Sequence, residues 1–195
     1  LKQGLSRVIS VRATIAIALG LTASLALAPT LAAGAEDLGA ANTVYMKDGG
    51  KKGLRFEAPK TIVFGQELEV LNETNPKRVG PHTFSLVTKG SLPKTPKARQ
   101  TCFTPKHICM AIAKWHGTNG NGPVTKNPVD AGAEGWDTLG SVTKTGDSWF
   151  TGEKKSGTSI TEPVTAAAGT TIYFLCAIHP WMQGQIEVLP PAPTI

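Results

Sequence analysis

Apolar residues fall in short runs of strand length over most of the chain. The stretches 43–46, 53–58, 61–64, 67–72 and 83–87 are rich in Val, Ile, Phe and Thr and are bounded by Gly, Pro, Asn or Asp. Phe56 and Ala58 alternate with Arg55 and Glu57, and Leu68 and Val70 alternate with Glu67 and Glu69, which predicts strands with one buried face. Three more runs, 148–151, 170–176 and 185–189, close the pattern, with a turn at Ala166-Ala167-Ala168-Gly169 before the second. Several short strands with regular turn signals predict an all-β sandwich or barrel. The tail Pro190-Pro191-Ala192-Pro193 cannot continue a sheet.

Two segments depart from this pattern. At the start, Lys2, Arg7 and Arg12 precede an apolar run from Ala13 to Ala28, followed by Pro29 and small residues up to Ala35. A basic start, an apolar run and a small-residue exit predict a secretory signal peptide over 1–35, with a retained membrane anchor as the alternative. The second segment, about 88–146, opens with Lys89, Lys94, Lys97 and Arg99 among prolines. It continues with a short helix around Ile108 to Trp115, then a Gly-, Asn- and Pro-rich loop over 117–127. Its apolar residues are too few for a second core, so 36–195 is expected to be one domain carrying an insertion between strands.

Composition adds little beyond this. Hydrophobic residues make up 41% and charged residues 17%, with 21 Gly and 14 Pro, which fits a turn-rich globular chain. Basic residues outnumber acidic ones by 20 to 14. Without the first 35 residues the balance is 17 to 14, too weak to suggest nucleic acid.

The chemistry concentrates in Cys176-Ala177-Ile178-His179-Pro180-Trp181-Met182, between two predicted strands. Thiolate, imidazole and thioether are the ligands that suit copper in both of its common oxidation states. Pro81-His82-Thr83-Phe84 places a further imidazole at the head of an apolar strand. His82, Cys176, His179 and a long axial Met182 make up the trigonal ligand set of an electron-transfer copper site. Taken singly, each of these residues could be ordinary packing; the spacing and the shared position at the mouth of a sandwich favour the metal.

On these residues the chain resembles the plastocyanin/azurin type of cupredoxins, the blue-copper proteins. The Cys-x-x-His-x-x-Met spacing is similar to the amicyanin type of ligand loop. The resemblance covers about 43–87 and 148–189. It implies a Greek-key β-sandwich, one type 1 copper ion on His82, Cys176, His179 and Met182, and single-electron transfer between protein partners without catalysis. It also implies that Pro180 and Trp181 contribute to an apolar docking patch around His179. Two departures stand out. The family often has Asn after the first His, where this chain has Thr83, and His82 lies 94 positions before Cys176, a far longer gap than in small cupredoxins. An insertion between strands costs only modest closure entropy, so the ligand set survives it.

Cys102 and Cys109 have two readings. In an exported protein they pair as a disulfide, leaving Cys176 as the odd thiol. Alternatively Cys102, His107, Cys109, Met110 and His116 form a second metal site. Trp115, Trp136 and Trp149 are expected to pack. Four His residues in total exclude a multicopper oxidase, whose trinuclear cluster needs about eight more than the first site uses. The rival function is copper delivery or storage outside the cytoplasm, which the small number of Met residues, three, disfavours. The expected protein is thus an exported monomer, periplasmic or extracellular, with no small-molecule substrate.

Overall fold

The computed structural model describes residues 42–49, 52–118, 129–130, 135–142, 144–152 and 156–193, with backbone only at 129–130. The expected signal peptide and most of the loop 117–127 lie outside the described residues. In chain order the elements are β1 (Thr43–Lys47), β2 (Arg55–Glu57), β3 (Thr61–Val63), β4 (Glu67–Asn72), α1 (Pro76–Val79) and β5 (Thr83–Val87). A 3-10 turn at Lys89–Ser91 leads to α2 (Pro96–Gln100), α3 (Ile108–Trp115) and β6 (Val129–Asp130). β7 (Ser148–Phe150), β8 (Thr158–Pro163), β9 (Thr171–Leu175) and β10 (Gln183–Leu189) complete the chain.

The strands form two mixed sheets, one in the order β2-β1-β4-β8 and one in the order β3-β10-β9-β5-β7-β6. β1 runs parallel to β4, and β10 parallel to β3; the other pairings are antiparallel. The core between the sheets takes alternate side chains from the central strands, as the pleat requires. Val44 and Met46 of β1, Leu68 and Val70 of β4 and Ile160 of β8 meet Phe84 and Leu86 of β5, Phe174 of β9, and Ile186 and Val188 of β10. Trp136, from the inserted segment, is fully buried among them and stands edge-on to Phe84 at 5.0 Å. Trp149 is in the same cluster, as the sequence predicts for a packing residue.

β5 is buried at all five positions, whereas one-sided strands alternate. Its second face is covered by the insertion. Val87, Leu175 and Ala177 pack against Ile108, Cys109 and Ile112 of α3 and against Cys102. The helix expected around Ile108 to Trp115 is present over those residues. Cys102 and Cys109 form a disulfide, so the second-metal reading of these cysteines is replaced by a covalent staple on the first turn of α3. Converting both to Ser is expected to lower stability by about 2–3 kcal/mol, the chain-entropy value for so short a loop. Denaturant melts of the disulfide-free variant check this, and an unchanged midpoint would contradict it.

The short elements β8 and α2 are among those that escape the periodicity. β8 exposes its polar residues at the sheet edge and buries only Ile160 deeply. α2 is a single turn capped by Thr95, whose hydroxyl accepts from the Ala98 amide, with Pro96 at the first helical position.

Candidate metal centre

His82 is delivered by a tightly specified turn. The Asn75 side chain caps α1 by accepting from the Lys77 amide, Pro76 starts the helix and Gly80 ends it at φ 79°. That positive φ suits glycine and swings the chain into β5. Asp48 anchors the same turn by accepting from the Asn75 amide and pairing with Arg78 at 2.7 Å. Its carboxyl is held below the usual range by the Asn75 amide, with Arg78 adding to the effect. The His82 backbone is then clamped to Thr151, through His82 N–H to Oγ1 and Thr151 N–H to the His82 carbonyl, both at 3.0 Å.

Cys176 follows the last residue of β9, and the chain from there to β10 closes into a loop. The Cys176 amide donates to the Met182 carbonyl (3.0 Å), and the Met182 amide donates to the His179 carbonyl (2.8 Å). Gln183 ties this loop to the insertion, its side-chain amide donating to the carbonyls of Pro180 and Pro93. The second residue of the return strand β10 is Gly184, where a Cβ would lie 2.4 Å from the Phe174 ring.

The two segments bring three ligand atoms to one point. His82 Nδ1 and His179 Nδ1 each lie 3.7 Å from Cys176 Sγ and 3.1 Å from each other. A metal with bonds of about 2.0 Å to nitrogen and about 2.3 Å to sulfur spans about 3.7 Å from nitrogen to sulfur at a trigonal angle. Both nitrogen–sulfur legs therefore have the length of a trigonal metal site, while the 3.1 Å nitrogen–nitrogen leg is somewhat shorter than the about 3.5 Å of an ideal one. His82, Cys176 and His179 are all buried, and among the described residues they are the cluster of His, Cys and acidic groups able to hold a metal. Met182 is buried in the main core beside Cys176, on the same loop.

The surrounding hydrogen bonds set the chemical state of each group. The Thr74 hydroxyl donates to Asn72 Oδ1 (2.7 Å), so at its 3.0 Å contact with His82 Nε2 it must accept. His82 thus carries its proton on Nε2 and offers a bare Nδ1 to the centre, which is how an imidazole ligand is normally oriented. The Thr83 amide donates to Cys176 Sγ (3.3 Å), and the Thr83 hydroxyl accepts from the Ala177 amide (2.8 Å). A threonine therefore bridges the two ligand segments at the position where the resembled family often has Asn. Sequence reasoning missed Asn72 and Thr74, although their Asx-turn spacing before a proline helix was visible.

Burial pushes the Cys176 thiol pKa up, against hydrogen bonds from Thr83 and the following backbone amides that pull it down. Burial also lowers the pKa of both imidazoles. For His82 the value falls to about 4, with the adjacent His179 adding to the effect and Asp48 opposing it; for His179 a backbone hydrogen bond at Val79 opposes it. Both imidazoles are therefore neutral ligands at physiological pH. Because the folded His82 value lies below the unfolded one of 6.5, the unfolded chain binds protons first on acidification. The metal-free protein is expected to lose on the order of 3 kcal/mol from His82 as pH falls from about 6.5 to about 4, with no further loss from this group below that. Denaturant melts across that window check it, and a flat profile would contradict a buried neutral His82.

A cupredoxin-like sandwich with a His–Cys–His triangle at one end fits the class of blue-copper proteins. No protein-family model matches the chain, and no curated protein matches it. Among solved structures it is similar to a purple cupredoxin from Nitrosopumilus maritimus, at 13% identity over 75% of this chain and 97% of that one, with a TM-score of 0.35. It is also similar to an auracyanin from the photosynthetic bacterium Roseiflexus castenholzii, at 19% identity over 77% and 95%, with a TM-score of 0.35. A copper-containing nitrite reductase from Thermus scotoductus SA-01 matches at 18% identity over 77% of this chain and 22% of that one, with a TM-score of 0.34. Similarities this distant carry no weight of their own; the reading rests on the chain's own strands and ligand triangle.

Proposed function

We propose that this chain is an exported type 1 copper protein that carries single electrons between protein partners. One copper ion would be held by His82, Cys176 and His179 and, more weakly, by Met182. The observation that carries this reading is the buried triangle of two Nδ1 atoms and one Sγ, whose nitrogen–sulfur distances suit a trigonal site of two nitrogens and one sulfur.

Copper bound there would supply reversible one-electron chemistry between its two common oxidation states. The chain's own contribution is rigidity and exclusion. His82 is fixed by Thr74 and Thr151, Cys176 by Thr83, and the ligand loop by its internal amide bonds. Ligands held this way move little between oxidation states, which keeps the reorganisation cost of electron transfer low. The apolar core that includes Cys176 and Met182 keeps water away from the site. His179 sits at the periphery at 9% exposure, and Trp181, 49% exposed, stands 5.2 Å from its ring. An exposed indole beside a nearly buried ligand supports a docking face there, with His179 as the route for the electron.

The domain assignment follows the same reading: residues 1–35 as a removable export signal and 36–195 as one domain with an insertion over about 88–146. Among the described residues no helix is long and apolar enough to cross a membrane.

The test is redox cycling of the copper-loaded protein. Ascorbate should bleach it and ferricyanide restore the colour over repeated cycles with copper retained. Release of copper on reduction would overturn the electron-carrier reading and favour delivery.

A further inference from the structure

A row of buried hydroxyls runs from the metal-centre loop to the insertion. The Ala177 amide donates to Thr83 Oγ1 at 2.8 Å, and Ser85 Oγ donates to the same oxygen at 3.0 Å. Ser85 Oγ meets Ser148 Oγ at 2.7 Å across the β5–β7 pair, where the two residues stand directly opposite. Ser148 Oγ meets His116 Nε2 at 2.9 Å. Thr83, Ser85, Ser148 and His116 are all buried.

Counting protons fixes the direction of this row. Ser85 spends its one proton on Thr83, so Ser148 must donate to Ser85. Ser148 has then spent its own proton, so the imidazole must donate to it, which places a hydrogen on His116 Nε2. Every donor in the row points toward Thr83. There the two acceptor positions of the hydroxyl are filled by Ala177 and Ser85, which leaves its own proton for Cys176: the Thr83 side chain hydrogen-bonds the sulfur, and the Thr83 amide donates to it at 3.3 Å.

His116 caps the C-terminus of α3, and α3 is held on the sheet by the apolar contacts of Ile108, Cys109 and Ile112. The imidazole is thus placed by the insertion and reaches the ligand strand through β7 and β5. A chain of like-directed hydrogen bonds polarises each member, and a low-dielectric interior amplifies the effect.

We infer that His116, Ser148 and Ser85 are positioning residues that polarise Thr83 and thereby set the electron density on the Cys176 sulfur, making the insertion a tuning element of the metal centre. The inference rests on the copper reading above. Stronger donation toward the sulfur favours the reduced state, whose thiolate holds more charge, and so raises the reduction potential. Ser148→Ala cuts the row in its middle with almost no change of volume. His116→Phe removes its first donor, and His116→Gln keeps an N–H donor of similar reach.

The experiment is to load the full chain and these three variants with Cu(II), then measure visible spectra and reduction potentials. The expected result is a blue band in all four. Ser148→Ala and His116→Phe should shift the ratio of Cu(I) to Cu(II) affinity about fivefold toward Cu(II), a potential lower by about 40 mV at 59 mV per decade for one electron. His116→Gln should recover most of that shift. A blue Ser148→Ala protein with the potential of the unaltered chain overturns the inference and leaves the copper reading intact. If His116→Phe fails to fold, Ser148→Ala alone decides. An unaltered chain that gives no blue band overturns the copper reading and this inference with it.

Discussion

Cys176→Ser is expected to abolish the intense visible band of the copper-loaded protein and to leave a pale solution, while the fold survives. The band requires a thiolate that shares charge with copper, and a serine hydroxyl neither ionises at neutral pH nor offers a soft donor. The smaller oxygen still accepts from the Thr83 amide, so no buried donor is orphaned. The same variant isolates a proton. Burial keeps the metal-free Cys176 thiol protonated, whereas His82 and His179 are already neutral. Copper binding at neutral pH should therefore release about one proton from the unaltered chain and none from the variant. Calorimetry in buffers of different ionisation enthalpy reads this directly, and a blue variant or equal proton release would contradict the role given to Cys176.

Phe174→Ala is expected to be among the most destabilising single changes, with a loss of about 3–5 kcal/mol in the metal-free protein. The ring is fully buried, meets Phe84 at 4.7 Å and stands edge-on to Phe56 at 5.2 Å. It also fills the space against the Gly184 backbone that any Cβ there would invade. Truncation would empty the middle of the sandwich directly behind the strand that leads to Cys176. Urea melts with the metal absent measure the loss, and a change below about 1 kcal/mol would show that this cluster is not the centre of the core.

The residues proposed to hold the metal were legible because most of them share one local loop. Cys176, His179 and Met182 fall within seven consecutive positions between two strands of clear apolar pattern, and His82 heads a third. The strands 67–72 and 83–87 and the helix at Ile108–Trp115 were readable to the residue: alternation marks the one buried face of 67–72, helical spacing that of the helix, and a short β-rich run between turn signals the fully buried 83–87. β8 was not, because an edge strand with Ile160 as its one deeply buried residue carries almost no hydrophobic pattern. The parallel pairing of β1 with β4 and of β3 with β10 was also out of reach, since nothing local records which strand lies beside which. The insertion looked too poor in apolar residues to have a core. Among the described residues it has none of its own, and instead lends Ile108, Ile112 and Trp136 to faces of the sandwich. Asn72, Thr74, Ser85, Ser148 and His116 are ordinary polar residues in a sequence, and acquire roles only when folding buries them in contact.

The most direct test of the central claim is to add one equivalent of Cu(II) to the protein and record visible absorption and EPR spectra together. The account predicts a strong thiolate-to-copper charge-transfer band with narrow copper hyperfine splitting, saturating at one ion per chain. A pale solution with ordinary tetragonal copper signals would contradict it.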